Sequence, residues 1–211
     1  MRKRRLALPL LLLLAGCGYN TIQTLDEQSS AAKSQIEVQL QRRADLIPNL
    51  VNTVKGYAQH EEEVFTQVAQ ARAGLLNAVR GGDPQQMADA NAGLTAGLGR
   101  LLAVSEAYPQ LKADQNFLRL QDELTGTENR IAVARNDYNQ AAQQYNTYIR
   151  RFPAALTAKA TGAQPRKYFE VTDASARTVP KVDMTGVGQP TPPATPATTP
   201  PAPAQPAPRN P

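Results

Sequence analysis

The feature that most constrains the fold is a seven-residue apolar repeat late in the central region of the chain. One row of this repeat contains Phe117, Leu124, Ile131, Tyr138, Tyr145 and Phe152. A second row contains Leu120, Thr127, Ala134, Ala141 and Tyr148. Alternating steps of three and four residues place both rows on one helical face, and such a repeat favours side-by-side packing on other helices. The pattern predicts a helix over about 112–152, roughly 60 Å long at ~1.5 Å per residue.

A second segment, just before this one, has the same kind of period. Its positions in phase are Met87, Asn91, Leu94, Leu98, Leu101, Ser105 and Tyr108. The preceding Gly81-Gly82-Asp83-Pro84 predicts a turn and a helix start, because Asp favours the N-cap and Pro the first helical position. Tyr108-Pro109 is the next break, because the residue before a proline disfavours helical geometry. We therefore expect a helix at about 84–107.

The first helical region is longer and mostly keeps one apolar phase. Its positions are Ile36, Leu40, Ala44, Ile47, Val51, Val54, Ala58, Phe65, Val68, Leu75 and Val79. Pro48 interrupts it, either as a kink in a continuing arm or in the first turn of a new helix capped by Asp45. The phase continues through Pro48, which favours a kink over a reversal. The pattern predicts helices at about 20–45 and 46–80.

These elements define the predicted fold class and its domain limits. Tight connections at 81–83 and 108–111 favour antiparallel neighbours, so we expect an all-α protein, a long antiparallel bundle of the four-helix, up-and-down type over 17–153. Residues 154–188 are expected to form a non-helical extension that packs on the bundle. Residues 189–211 contain ten prolines and predict a disordered, extended tail. The tail is either a plain spacer or a tether or ligand for a partner.

The N-terminus has the order of an export signal. Arg2-Lys3-Arg4-Arg5 precedes an apolar run from Leu6 to Leu14, which is short for a membrane span because a span needs roughly 20 residues. Leu14-Ala15-Gly16-Cys17 resembles the lipobox of bacterial lipoproteins, in which the cysteine is acylated. We therefore expect residues 1–16 to be a lipoprotein signal peptide and Cys17 to carry lipid. The alternative is an inert Cys17 in an uncleaved signal anchor.

Export also affects the predicted location and the interpretation of charge. Gly18 follows the cysteine, and in lipoproteins resembling this one a non-acidic residue there favours the periplasmic face of the outer membrane. The inner membrane, facing outward, is the alternative.

The chain has 23 Lys and Arg against 18 Asp and Glu, but only 19 against 18 without the four N-terminal cations. The basicity therefore indicates targeting and not a nucleic-acid partner.

The residue inventory argues against an enzyme, a metal site and a cofactor. His60 is the only histidine, and a zincin-type helix would need a second one four residues later, where Val64 stands. Nucleophilic catalysis needs a base within reach of a Ser, Thr or Cys, and His60 is the only imidazole available. We expect His60 to lie on a solvated helical face.

Two polar clusters remain as candidate interaction residues. Arg42-Arg43-Ala44-Asp45 precedes Pro48, and Thr127-Glu128-Asn129-Arg130 lies midway along the last helix. Each is either a buried network that sets helix register or a docking patch. The asparagines at 49, 52, 116, 129, 139 and 146 fit the same idea. The predicted patch consists of Arg42, Arg43, Asp45, Lys55, His60, Glu128 and Arg130.

Several of these stretches together resemble the LemA family. They are Tyr19-Asn20, the run from Gln35 to Val51, Val54-Lys55-Gly56-Tyr57-Ala58, Ala107-Tyr108-Pro109, Thr127-Glu128-Asn129-Arg130-Ile131, Tyr138-Asn139, Tyr145-Asn146 and Phe152-Pro153. The resemblance covers about 19–184. It implies a membrane-attached, four-helix, bromodomain-like bundle outside the cytoplasm, with no enzymatic activity and in some members an association with a membrane protease system. Here a lipobox stands where the family usually has a membrane helix.

Two functions follow as hypotheses. The first is a non-catalytic structural or protein-interaction module of the cell envelope, attached to the membrane through its N-terminal lipid and presenting a helical face to another envelope protein. The second is an envelope sensor that binds a small ligand or metal in the bundle through His60 or the Asn-rich layers. An envelope hydrolase is disfavoured by the residue inventory.

Overall fold

The structure of the protein is a computed structural model that describes the backbone of residues 3–170 and the side chains of residues 18–170. Six helices occur in this range, and none of its residues forms a strand. They are α1 (Lys3–Lys55), α2 (Glu62–Gly81), α3 (Pro84–Glu106), α4 (Pro109–Lys112), α5 (Gln115–Tyr148) and α6 (Ala154–Thr161). The predicted all-α fold is confirmed. The predicted tail at 189–211 and the end of the predicted extension, beyond residue 170, lie outside the described residues.

The four long helices form two antiparallel pairs. α1 packs mainly on α5, and α2 packs mainly on α3. Arg43 of α1 meets Glu128 of α5, whereas Asp26, earlier in α1, meets Arg166, which follows α5. Arg72 in the middle of α2 donates to the carbonyl of Ala44, which joins the second pair to α1. The chain therefore runs up, down, up and down through α1, α2, α3 and α5, as the short connections predict.

The α1–α5 pair extends well beyond the α2–α3 pair at one end. The Lys33 ammonium donates to the carbonyl of Gly82 at 3.2 Å, so the turn between α2 and α3 lies at the level of Lys33. Below this level α6 takes the place of the second pair and packs on α1. A separate apolar cluster forms there from Ile22, Tyr145, Ile149 and Ala158. The molecule thus has a four-helix region and a thinner end made of α1, α5 and α6.

The apolar repeats predict most of the core correctly. In α5 the first row is buried from Phe117 to Tyr145, and the second row is buried at Leu120, Thr127 and Ala134. Beyond Ala134 the buried face drifts to Ala142, because a helix has 3.6 and not 3.5 residues per turn. Phe152 is 84% exposed, so its assignment to the core is wrong. Small shifts also occur in the first region, where Leu50 and Ala78 are buried in place of Val51 and Val79.

Helix α1 continues through Pro48, so the chain does not reverse there, as favoured. The predicted boundary between helices at 20–45 and 46–80 is wrong, because one helix spans it. The break instead falls after Lys55, and the prediction of one helix over 46–80 is wrong. Between α1 and α2 the backbone of Gly56, Tyr57 and Ala58 is held by hydrogen bonds back to the end of α1. Gly56 is a weak helix former, and Ala58 is fully buried, which directs the chain back toward the core.

Two other boundaries also differ from the prediction. The segment after Pro153 was expected to be non-helical, but residues 154–161 form α6, and 163–170 form neither helix nor strand. Its sequence, Ala-Ala-Leu-Thr-Ala-Lys-Ala-Thr, favours a helix, and Gly162 ends it with φ +73°. α5 begins only at Gln115, where the Asp114 carboxylate accepts from the backbone N–H of Phe117 at 2.9 Å.

No helix in the part of the chain that the structure describes is both long enough and apolar enough to cross a membrane.

Candidate interaction site

The best-connected polar group of the four-helix region is Arg43, which is only 4% exposed. Its guanidinium donates to the Asn91 side-chain oxygen at 2.6 Å and to the Thr95 hydroxyl at 3.1 Å, both on α3. It also forms an ion pair with Glu128 on α5. One cation on α1 therefore connects α1 to both helices that flank it.

Burial and charge act in opposite directions on this guanidinium. Desolvation lowers the pKa of Arg43, while the nearby Glu128 carboxylate partly restores it. Glu128 keeps 45% of its side chain exposed, so the pair lies at the edge of the core. The Arg43 Nε is buried with no hydrogen-bond partner. The arrangement fits the predicted buried network for Arg43 and Glu128, since pairing offsets the cost of the buried cation.

The other predicted patch residues lie elsewhere on the surface. Arg42 and Asp45 are exposed on α1, and Arg130 is exposed on α5. Lys55 lies at the end of α1, where its ammonium is 5.2 Å from the centre of the Phe65 ring. His60 is exposed as predicted, but it lies in the connection between α1 and α2 and not on a helical face. The seven residues therefore do not form one continuous patch.

Arg42 and Asp45 line an open groove on the outer face of α1. The groove has a volume of about 630 Å³ and lies between Val79 of α2 and Glu123 of α5. Val38, which is 57% exposed, forms part of its floor. An exposed apolar residue framed by both signs of charge is typical of a surface that contacts another protein, because the apolar part supplies contact area and the charges supply specificity.

A smaller groove lies beside the same helix pair and contains Arg130. It has a volume of about 360 Å³ and is lined by Gln35 and Gln39 of α1 and by residues 129–137 of α5, including the exposed Val133. The side-chain oxygen of Gln39 is buried there with no partner. A buried acceptor without a donor carries a cost in stability.

Residues 163–170 are called here the strap. A second group of polar side chains, toward the thinner end of the molecule, holds the strap in place. Asn139 donates to the carbonyl of Phe169 at 3.1 Å and accepts from the N–H of the same residue at 2.8 Å. Asn146 makes the same pair of bonds with Arg166, at 2.9 and 2.7 Å. The Tyr138 hydroxyl donates to the carbonyl of Lys167 at 2.6 Å. These side chains satisfy the strap backbone in the way that a neighbouring strand would.

Side chains of the strap add three anchors. Arg166 donates twice to one Asp26 oxygen, at 3.1 and 2.8 Å, and Lys167 pairs with Asp83 at 2.6 Å. Phe169 is 2% exposed and belongs to the main core. The strap therefore joins the thinner end to the start of α3. The sequence signal that was available for it is the Tyr-Asn dipeptide at 138 and again at 145, one heptad apart.

The opposite end of the molecule is closed by a contact between Tyr57 and Asp114. The Tyr57 hydroxyl donates to the Asp114 carboxylate at 2.9 Å. This hydrogen bond raises the pKa of Tyr57. The pKa of Asp114 is lowered, first by the N–H of Phe117 and then by Tyr57.

The described residues offer little to the sensor hypothesis. Among the residues that the structure describes, no three or more His, Cys, Asp and Glu side chains come together in a group that could hold a metal ion. Asn91 is engaged with Arg43, and Asn139 and Asn146 are engaged with the strap. These three asparagines are therefore engaged within the chain, whereas Asn49, Asn52, Asn116 and Asn129 are exposed.

Together the fold and these contacts define a class of protein: an all-α bundle whose long helix pair carries a strap and an open outer groove. Comparison with known proteins identifies the family. A sequence model of the LemA family matches residues 32–184, which is well over half of the chain. The chain belongs to the LemA family.

The relatives found by comparison include proteins of magnetic bacteria. Magnetosome protein MamQ 2 of Paramagnetospirillum magneticum is 31% identical over 175 residues, and magnetosome protein MamQ of Magnetospirillum gryphiswaldense is 28% identical over 174. Each alignment covers 72% of this chain and 64% of the relative, so the chain spans just under two thirds of these proteins. Protein LemA of Metamycoplasma hominis is 26% identical over 121 residues, which cover 57% of this chain and 54% of the relative.

Proposed function

We propose that this protein is a membrane-anchored, non-catalytic interaction module of the cell envelope, which holds a helical surface out to another envelope protein. The observation that carries the proposal is the open groove on α1, where the exposed Val38 lies between Arg42, Asp45 and Glu123. Family membership and the magnetosome relatives support membrane association in the envelope.

The anchor in this proposal is a lipid on Cys17. The supporting features are the four cations, the short apolar run and the lipobox-like Leu14-Ala15-Gly16-Cys17. Metabolic labelling with an alkyne fatty acid tests it. The wild-type chain should take up label and Cys17→Ala should not, whereas equal labelling of both would contradict lipidation. Gly18 follows the cysteine, and this non-acidic residue favours the outer membrane in a cell that has two membranes. Fractionation of the labelled protein tests this location.

The partner in this proposal is a protein that covers the groove. Its surface should present an apolar side chain to Val38, an acidic group to Arg42 and a basic group to Asp45, since opposite charges across an interface set specificity. A component of a membrane protease system is one candidate of this kind.

Site-specific crosslinking in cells tests the groove directly. A photo-reactive residue replaces Val38 in the full-length protein, and the matched control carries it at Ala73, an exposed position on α2. We expect a discrete crosslinked species from position 38 and none from position 73. Reversing the two charges, with Arg42→Glu and Asp45→Arg, should abolish it. Equal crosslinking at 38 and 73 would contradict the proposal.

A further inference from the structure

The thinner end of the molecule has a surface that none of the helices within residues 18–170 covers. Phe152 is 84% exposed in the connection between α5 and α6, and Leu156 is 65% exposed on α6. Tyr19, two residues after Cys17, is also exposed. Large apolar side chains exposed together at one end of a molecule usually mark a contact with another molecule or a membrane.

This surface lies next to the expected anchor point. Gly18 lies close to α6. A Cβ atom at this position would be 3.4 Å from the hydroxyl oxygen of Thr157. Leu156 is the neighbour of Thr157 in the chain. An anchor that holds Cys17 at a bilayer therefore also places α6 close to that bilayer.

The segment that carries Phe152 and Leu156 has charges of one sign, whereas the neighbouring α1 contributes the acidic Asp26 and Glu27. No acidic residue occurs between Asp137 and Glu170, whereas this stretch contains five Lys and Arg residues. Arg166 and Lys167 pair with Asp26 and Asp83. The remaining three, Arg150, Arg151 and Lys159, are exposed, and the structure shows no ion pair for them within residues 18–170. An exposed cationic cluster without partners fits an anionic surface.

Helix α6 has one buried face and one outer face, and its exposed apolar and cationic residues both lie on the outer face. Ala154 and Ala158 are buried on one side of it. At ~100° per residue Leu156 lies on the opposite side, and Lys159 is three residues further along, on the same outer face. A helix with apolar and cationic residues together on its outer face is suited to the headgroup layer, where the apolar side chain enters the lipid and the cation stays at the surface.

From this geometry we propose that α6 and the connection before it rest on the membrane, with Phe152 and Leu156 in the headgroup layer and Arg150, Arg151 and Lys159 on anionic lipid headgroups. The inference rests on the proposed attachment at Cys17 and goes beyond it, because it orients the bundle. A protein partner is less suited to this surface, since it would have to fit between the bundle and the bilayer beside the anchor.

The test uses tryptophan as a reporter, because the chain contains none. Full-length lipidated Phe152→Trp is reconstituted into vesicles of phosphatidylcholine with phosphatidylglycerol, and the matched control is Val133→Trp, which is exposed on the side of the bundle. We expect blue-shifted emission and quenching by brominated lipid at position 152 only. Replacing Arg150, Arg151 and Lys159 by Gln should weaken this shift in anionic vesicles and change little in pure phosphatidylcholine.

Co-sedimentation with the vesicles separates the two proposals. One outcome is that both tryptophan variants sediment with the vesicles while Trp emission at position 152 has the same wavelength as at position 133. In that case the proposed surface contact is wrong and the anchor stands. If neither sediments, the anchor fails and the contact fails with it. Leu156→Trp serves as a second reporter on α6 and should give the same shift as Phe152→Trp.

Discussion

Asn139 and Phe169 exchange two hydrogen bonds, the asparagine amide giving one to the carbonyl and taking one from the N–H of the phenylalanine. Asn146 and Arg166 repeat this exchange one heptad later on α5. Seven helical residues span about 10 Å, and three extended residues span about 10 Å as well. The two asparagines therefore match the two residues of the strap in spacing, and this match sets the strap's register on α5.

The first prediction concerns this pair of contacts. Asn139→Ala leaves the N–H and carbonyl of Phe169 without partners, and we expect a loss of about 1–3 kcal/mol in the free energy of strap attachment. Hydrogen exchange should show faster exchange of the Phe169 amide, with the amides of α2 and α3 unaffected. Asn136→Ala, at an exposed position on the same helix, is the control and should change neither. Unchanged protection of Phe169 in Asn139→Ala would contradict the role assigned to the asparagine.

The second prediction concerns Arg43, whose guanidinium has partners on both α3 and α5. Arg43→Ala should lower the free energy of unfolding by about 2–4 kcal/mol, because it removes a buried hydrogen-bonded cation and leaves Asn91 without its donor. Arg43→Lys should also destabilise, since one ammonium cannot reach Asn91, Thr95 and Glu128 in the same geometry.

Urea denaturation followed by circular dichroism measures both variants. The neighbouring Arg42→Ala is the matched control, and a change of less than about 0.5 kcal/mol is expected for this exposed residue. Equal effects of the substitutions at 42 and 43 would show that the network contributes nothing of its own.

The third prediction uses the two adjacent glycines at the C-terminal end of α2. Gly82 has φ +68°, and a Cβ there would also come within 3.2 Å of the Lys33 ammonium. We expect Gly82→Ala to lower the free energy of unfolding by about 1 kcal/mol, because alanine disfavours left-handed geometry. Gly81 is the last helical residue of α2 and has room for a Cβ, so Gly81→Ala should be neutral or stabilising. Thermal melts of the two variants compare them, and the opposite order would contradict the cap assignment.

The fourth prediction concerns acid stability. The pKa of Asp83 is lowered, first by the hydrogen bond from Lys167 and then by the N–H groups of Gln86 and Gln85. A carboxylate with a lowered pKa in the folded state stabilises the fold above its unfolded pKa of about 3.9, and this contribution disappears as the pH falls through the folded value. The melting temperature should therefore decrease as the pH drops below about 4.

Asp83→Asn removes the ion pair with Lys167 but keeps a side chain that caps helices well. The melting temperature of this variant should depend less on pH below about 4 than that of the wild-type protein. Asp122→Asn, at an exposed position on α5, is the matched control. If Asp83→Asn and the wild-type protein showed the same dependence, Asp83 would not contribute to acid stability.

Local signals in the sequence were sufficient for α3, for α5 and for most of the buried faces, but not for the boundary between α1 and α2. The heptad rows of α5, the phase of α3 and the Asp83-Pro84 start all depend on interactions within a few residues, such as capping and the periodic burial of one face. The same local signals misplaced Phe152, because they do not show where a neighbouring helix ends, and they missed α6, because the repeat stops before it.

Tertiary structure alone decided the partners of the polar residues. The sequence left Arg43 between a buried network and a docking patch, and only the approach of α3 and α5 brings Asn91 and Glu128 to it. Likewise, Asn139 and Asn146 stand out as a repeat, but their partners lie 30 and 20 residues away in a segment without periodicity. Short-range hydrogen bonds and burial are encoded in neighbouring residues, whereas contacts between distant segments exist only once the chain has placed its helices side by side.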